Sequence, residues 1–132
     1  MKKLLGLFLT ITVSFECMAH AETIEIYCDE AKQTMSDGKV YSGNLDLSYR
    51  FDLIEDTVGL PLGEETLDKR DLDFVNEVFI TWNNTRIYKN SGSFKYVSNV
   101  FNRRTGYLTS TNIIMNNDYS DTRSFITSGF CE

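Results

Sequence analysis

Histidine occurs once in this chain, at His20, and proline once, at Pro61; outside Leu4 to Phe15 no apolar run approaches the length of a membrane span. Cysteine is scarce too, at Cys17, Cys28 and Cys131, and no glycine-rich phosphate loop or dinucleotide fingerprint is present. Without imidazole, Ser-His-Asp and Cys-His arrangements are excluded, so the usual routes to an activated nucleophile at neutral pH are closed. How far that exclusion reaches depends on how the first residues are read. Lys2 and Lys3 give a short positive region, Leu4 to Phe15 an apolar one, and Ala19-His20-Ala21 the small residues of a signal peptidase site. The pattern predicts a signal peptide over 1–21, with cleavage before Glu22. A retained anchor is the competing reading, but twelve residues rise only about 18 Å as a helix against a hydrocarbon core of about 30 Å. Ser14-Phe15-Glu16 does not supply the small residues that a lipoprotein needs before Cys17. Cys17 and His20 are therefore expected to leave with the leader.

What remains, 22–132, is long enough for one domain with a modest core. Without Lys2, Lys3 and Glu16, the counts of 13 basic and 19 acidic residues fall to 11 and 18, a net charge of −7. Such a surface excludes nucleic acid as a partner. The charge is uneven: Glu22 to Glu77 carries 15 acidic and 5 basic residues, Val78 to Glu132 carries 3 and 6. Either the halves neutralise each other in the fold, or an acidic face steers a basic protein of the cell envelope.

Two cysteines left in an exported chain imply one disulfide, Cys28–Cys131, formed in an oxidising compartment. The bond needs Cα atoms within about 7 Å, so the first and last strands are expected to be neighbours. With both thiols oxidised, neither a cysteine nucleophile nor an ordinary zinc site remains, and no cofactor motif appears.

The hydrophobic pattern has period two. Ile24, Ile26 and Cys28 alternate with Glu25 and Tyr27; Leu45, Leu47, Tyr49, Phe51 and Leu53 alternate with Asp46, Ser48, Arg50 and Asp52. Further strands are expected over Thr57 to Leu60 after a turn at Glu55-Asp56, and over Val78 to Trp82, ended by Asn83-Asn84. Ser93 to Asn102 and Tyr107 to Met115 should form a hairpin around Arg103 to Gly106, followed by a polar loop at Asn116 to Asp118 and a last strand over Ser124 to Cys131. Glu64 to Asn76 has loosely helical spacing and reads as a short helix or a turn, with Pro61 in the connection before it. The fold class is all-β: an antiparallel meander of six to seven strands forming a small barrel or sandwich, closed by one disulfide.

Two carboxylates could still act as acid and base, as in glycoside hydrolysis. Glu64, Glu65, Asp68, Asp71, Asp73 and Glu77 crowd one segment, but nothing in their spacing forces two into a shared cleft, and a solvated face accounts for the run more economically. Asp71-Leu72-Asp73 lacks the alternating ligands and central glycine of a calcium loop, so no metal site is expected. Asn83-Asn84-Thr85 fits a glycosylation sequon and equally a turn. Around the late hairpin Tyr88, Phe94, Tyr96, Phe101 and Tyr107 interleave with basic residues, and alternation assigns most of these rings to the core. Arg103 and Arg104, at the turn tip, are candidates to bind a carboxylate of a partner or of the domain's own acidic half.

The stretch Phe101-Asn102-Arg103-Arg104-Thr105-Gly106-Tyr107-Leu108 resembles the Asn/Asp-Arg-x-Thr-Gly hairpin of many small exported bacterial proteins of unknown function, which also carry an early and a nearly C-terminal cysteine. The resemblance implies an exported bacterial β domain and brings no activity. A fainter one is to periplasmic inhibitors of C-type lysozyme, small disulfide-closed barrels with a Ser-Gly-x-x-Tyr motif. In Ser91-Gly92-Ser93-Phe94-Lys95-Tyr96 the tyrosine comes one residue late, which inverts its face on a strand. Tyr96 thereby joins Arg103 and Arg104 as a candidate partner-binding residue. The expected role is that of a periplasmic or secreted binding or inhibitory protein that is not an enzyme. A carboxylate-dependent glycan hydrolase and a structural protein of the envelope are the alternatives.

Overall fold

The computed structural model describes residues 22–29, 31–42, 47–118 and 120–132; the expected leader over 1–21, together with Leu45 and Asp46, lies outside them. Eleven strands make up the described chain. The first four are β1 (Thr23–Cys28), β2 (Lys32–Met35), β3 (Val40–Ser42) and β4 (Leu47–Asp52). After them come β5 (Thr57–Leu62), β6 (Glu65–Asp71), β7 (Phe74–Val75) and β8 (Phe79–Tyr88). The last three are β9 (Ser93–Asn102), β10 (Tyr107–Met115) and β11 (Thr122–Phe130). They form two antiparallel sheets, one in the order β1-β4-β5-β6 and the other β3-β2-β11-β10-β9-β8-β7. The all-β, disulfide-closed reading holds, with eleven strands in the described residues rather than six or seven.

The sheets pack through one face each. Ile26, Cys28, Phe51 and Val58 of the smaller sheet meet Ile80, Trp82, Phe101 and Leu108 of the larger, with Cys131 at the corner. Phe51 is fully buried, its ring 5.2 Å from that of Trp82 and 5.9 Å from that of Phe101. Burying one such side chain stabilises a fold by about 1.5–3 kcal/mol, which is why alternation in β1 and β4 selects this face.

The termini meet, but not as paired strands within one sheet. Throughout its length β1 pairs with β4, and β11 lies between β10 and β2. Only past the end of β11 does the chain reach β1: Tyr27 and Glu132 exchange both backbone hydrogen bonds at 2.8 and 2.9 Å, and Cys28 and Cys131 sit beside them with Cα atoms 4.0 Å apart. The disulfide therefore bolts one sheet to the other rather than closing a single sheet. Such a bond belongs to an oxidising, exported environment. Among the described residues no helix is long and apolar enough to cross a membrane.

Three local expectations change. Glu65–Asp71 is a strand, not a helix or turn; it lies on the sheet edge and is mostly exposed, so it carries no apolar alternation to read, and backbone pairing to β5 defines it. Pro61 falls inside β5, opposite Thr66, where the β4–β5 ladder has already stopped at Gly59 and no neighbour needs its missing N–H. Asn83-Asn84 does not end β8, which runs on to Tyr88 because both residues pair across to β9 at Ser98 and Val97.

A polar cleft between the sheets as candidate functional site

Register turns the sequence of the large sheet into rows across its inner face. The first row, Ile80, Phe101, Leu108 and Gly129, is core. One step along each strand, the row is Trp82, Asn99, Ser110, Thr127 and Gln33. The next is Asn84, Val97, Asn112 and Phe125, and the one after that includes Arg86 opposite Lys95. From one end of the sandwich to the other, the inner face thus changes from apolar to amide and hydroxyl to cationic.

The smaller sheet covers these later rows only in part, with Tyr49 and Phe51 of β4 reaching as far as Trp82. Its β4–β5 ladder stops at Gly59, and a bulge between Val58 and Leu60 shifts the register of β5 against β6. Gly59 is tightly covered: a Cβ there would lie 2.5 Å from Thr66 Cγ2, so the close passage of β6 over β5 depends on glycine. Asp68 takes a left-handed φ of 51° in the strand that forms this wall. The result is a cleft of about 450 Å³ floored by the large sheet and walled by Tyr49, Leu60, Asp68 and Arg70. That volume lies within the roughly 300–1,000 Å³ of small-molecule sites.

Four polar side chains on the floor are buried: Asn99, Ser110, Asn112 and Thr127. Asn99 is 3% exposed; its Nδ2 donates to Trp82 O at 3.2 Å while its Oδ1 has no partner. Turning the amide over would set oxygen against the Trp82 carbonyl, so the orientation is fixed and Oδ1 stays without a donor in a residue that lines the cleft. Asn84 Oδ1 is likewise buried without a partner. Each orphaned acceptor costs about 1–3 kcal/mol, a cost a ligand donor would offset. Asn112 Nδ2 reaches Ser110 O and Oγ only at 3.4 Å, and burial raises the Tyr49 phenol above its ordinary value, holding it neutral.

The acidic residues gather elsewhere. Among the described residues Asp68 is the one carboxylate of the cleft, whereas Glu25, Asp52, Glu64 and Glu65 line a second groove on the outer face of the smaller sheet. There Glu25 is held below its ordinary range, first by the Tyr27 hydroxyl at 2.8 Å and then by Arg50, the opposite of what a general acid requires. Asp52 Oδ1 is occupied by the amides of Ile54 and Glu55 at 3.0 and 2.9 Å. Among the described residues no three Asp, Glu, Cys or His side chains gather as a metal site.

Arg103, Arg104 and Tyr96 are not brought together. Arg103 turns inward to its own chain, donating to Asn76 O at 3.0 Å and Glu22 Oε1 at 2.9 Å. Arg104 lies 4.0 Å from Glu77 on the surface. Both arginines thus tie the basic half of the chain to the acidic half. Tyr96 stands on the outer face of β9 between Thr85 and Ile113, seven residues and therefore about 23 Å along the strand from Arg103. Of the five rings around the hairpin, Phe101 alone enters the core: Phe94 and Tyr96 have the opposite parity on β9, Tyr88 is exposed, and Tyr107 packs on Phe130 at 4.9 Å. The cleft residues were not among the sequence candidates, although one signal was present. Asparagine, serine and threonine occupy core-parity positions in β8 to β11.

No protein-family model, curated protein or solved structure matches the chain.

Proposed function

We propose that this chain is an exported binding protein, periplasmic or secreted, that takes a small polar ligand into the cleft between its sheets and performs no chemistry on it. The observation that carries this reading is Asn99: a buried amide with a fixed orientation and an unanswered carbonyl, in the middle of a sheet face that elsewhere packs as core. Binding rather than catalysis is supported by the single carboxylate that the described residues bring to the cleft and by the absence of histidine from 22–132. Native mass spectrometry of protein purified without denaturation from cell-envelope extract tests it. The wild type should retain a small non-protein mass that Asn99→Leu, still folded, loses. Identical spectra with no adduct on either would sink the reading.

A second reading concerns the acidic half. The edge strand β6 and the segment after it leave Glu64, Glu65, Asp71, Asp73 and Glu77 exposed, a surface suited to steering a basic protein of the envelope, as the resemblance to lysozyme inhibitors implies. A partner captured at low salt and released at high salt supports it; a partner indifferent to salt speaks against it.

A further inference from the structure

The cleft gathers positive charge that forms no ion pair among the described residues. Ion pairs engage Lys39, Arg50, Lys69, Arg103, Arg104 and Arg123. Of the 11 basic residues in 22–132, that leaves five without a carboxylate within 4.0 Å among the described residues, and three of the five, Arg70, Arg86 and Lys95, line this one cleft. Arg86 and Lys95 stand directly opposite each other on β8 and β9, a like-charge pairing that weakens a sheet. Set against Asp68, these three cations leave the cleft with an excess of positive charge, a place where an anion from outside would be held, and the low-dielectric walls concentrate its field.

Deeper in, the requirement changes. Asn84 and Asn99, both lining the cleft, hold buried carbonyl oxygens without donors, which a bare anion cannot satisfy because it brings acceptors only. The occupant that answers both demands carries negative charge at one end and O–H groups at the other. Resting on the proposed binding role of the cleft, we propose that its ligand is an acidic sugar, whose charged group lies between Arg86 and Lys95 and whose hydroxyls donate to Asn84 Oδ1 and Asn99 Oδ1. A carboxylate and a phosphate share that chemistry. Guanidinium and ammonium both accept either group as a charge-assisted partner.

Titration of the exported protein with galacturonate, glucose 6-phosphate, galactose, acetate and inorganic phosphate, followed by amide and asparagine side-chain NMR shifts, tests the assignment. At least one acidic sugar should saturate shifts at Asn84 and Asn99, and which of the two does so identifies the charged group. Galactose, acetate and phosphate should each bind at least about tenfold more weakly, because each lacks one half of the recognition. Arg86→Ala and Lys95→Ala should each weaken the acidic sugar about tenfold, whereas Lys89→Ala, whose cation lies outside the cleft, should leave it unchanged. Equal binding of galactose overturns the role of charge; equal binding of acetate or phosphate overturns the role of the hydroxyls. If neither acidic sugar moves the cleft resonances, the ligand class is wrong. A retained adduct in the native spectrum would then leave the binding function standing without it.

Discussion

Arg50 holds three segments of chain with one guanidinium. From β4 its Nε donates to Glu25 Oε1 of β1 at 2.6 Å, Nη1 to Glu65 O at 2.6 Å and Nη2 to Gly63 O at 2.5 Å, so the planar fork spans the smaller sheet. Its side chain is only 11% exposed, which separates it from the surface pair Lys69–Glu55, where both partners are half exposed or more. Arg50→Ala should lower the unfolding free energy by about 2–4 kcal/mol and Arg50→Lys by roughly half as much, since an ammonium cannot reproduce the fork. Lys69→Ala should stay within about 0.5 kcal/mol of wild type. Urea unfolding distinguishes the three, and equal midpoints for Arg50→Ala and Lys69→Ala would refute the assignment. The same contact sets a sign for pH. Because Tyr27 and Arg50 depress Glu25 in the folded state, its contribution is present above the unfolded carboxyl value and is lost as pH falls through the folded one. Glu25→Gln should therefore flatten the acid limb of the stability profile, and because the same carboxylate raises the Tyr27 phenol, it should also remove the stability that is lost as pH rises through the tyrosine range.

At the scale of the element, the β9–β10 hairpin shows why some strands could be read in advance. Its turn is specified locally: Asn102 Oδ1 accepts the amides of Arg104 and Thr105 at 3.0 and 3.1 Å, and Gly106 closes the reversal at a φ of 69°. Gly106 is also pressed against the C-terminus, where an added Cβ would meet Cys131 O at 2.7 Å; Gly63, at a φ of 59°, has open space around it. Gly106→Ala should thus cost about 2–3 kcal/mol and Gly63→Ala about 1 kcal/mol, measured by thermal or urea unfolding. Equal losses would mean that conformation alone, not packing on the terminus, decides. Both strands of this hairpin have the bounds that alternation and the turn motif imply, because local chemistry and tertiary structure agree there. β6 and the far half of β8 were illegible for opposite reasons. The first is an exposed edge without a buried face, and the second carries a turn-forming Asn-Asn that pairing with β9 overrides.

In the molecule as a whole, alternation revealed which residues share a face of their own strand, but not which strands stand side by side. Asn99, Ser110 and Thr127 become one row only through the β9–β10 and β10–β11 registers, so a polar floor built from separate strands was invisible as a motif. The disulfide was legible because two cysteines leave one pairing, yet its placement adds something the count did not: it ties the sheets together at the apolar end of the sandwich, away from the cationic mouth. Its effect should therefore fall on stability rather than on the cleft. The bond spans 103 residues, for which the chain-entropy relation gives about 4–5 kcal/mol of destabilised unfolded state. Cys28→Ser with Cys131→Ser should lower the unfolding free energy by about that amount in urea. Under conditions where the variant remains folded, the asparagine side-chain resonances of the cleft should keep their wild-type positions. A loss below about 1 kcal/mol would indicate that the Tyr27–Glu132 backbone pair and the shared core already hold the sheets without the sulfurs. Displaced Asn99 resonances would instead show that the cleft depends on tension from the closed end.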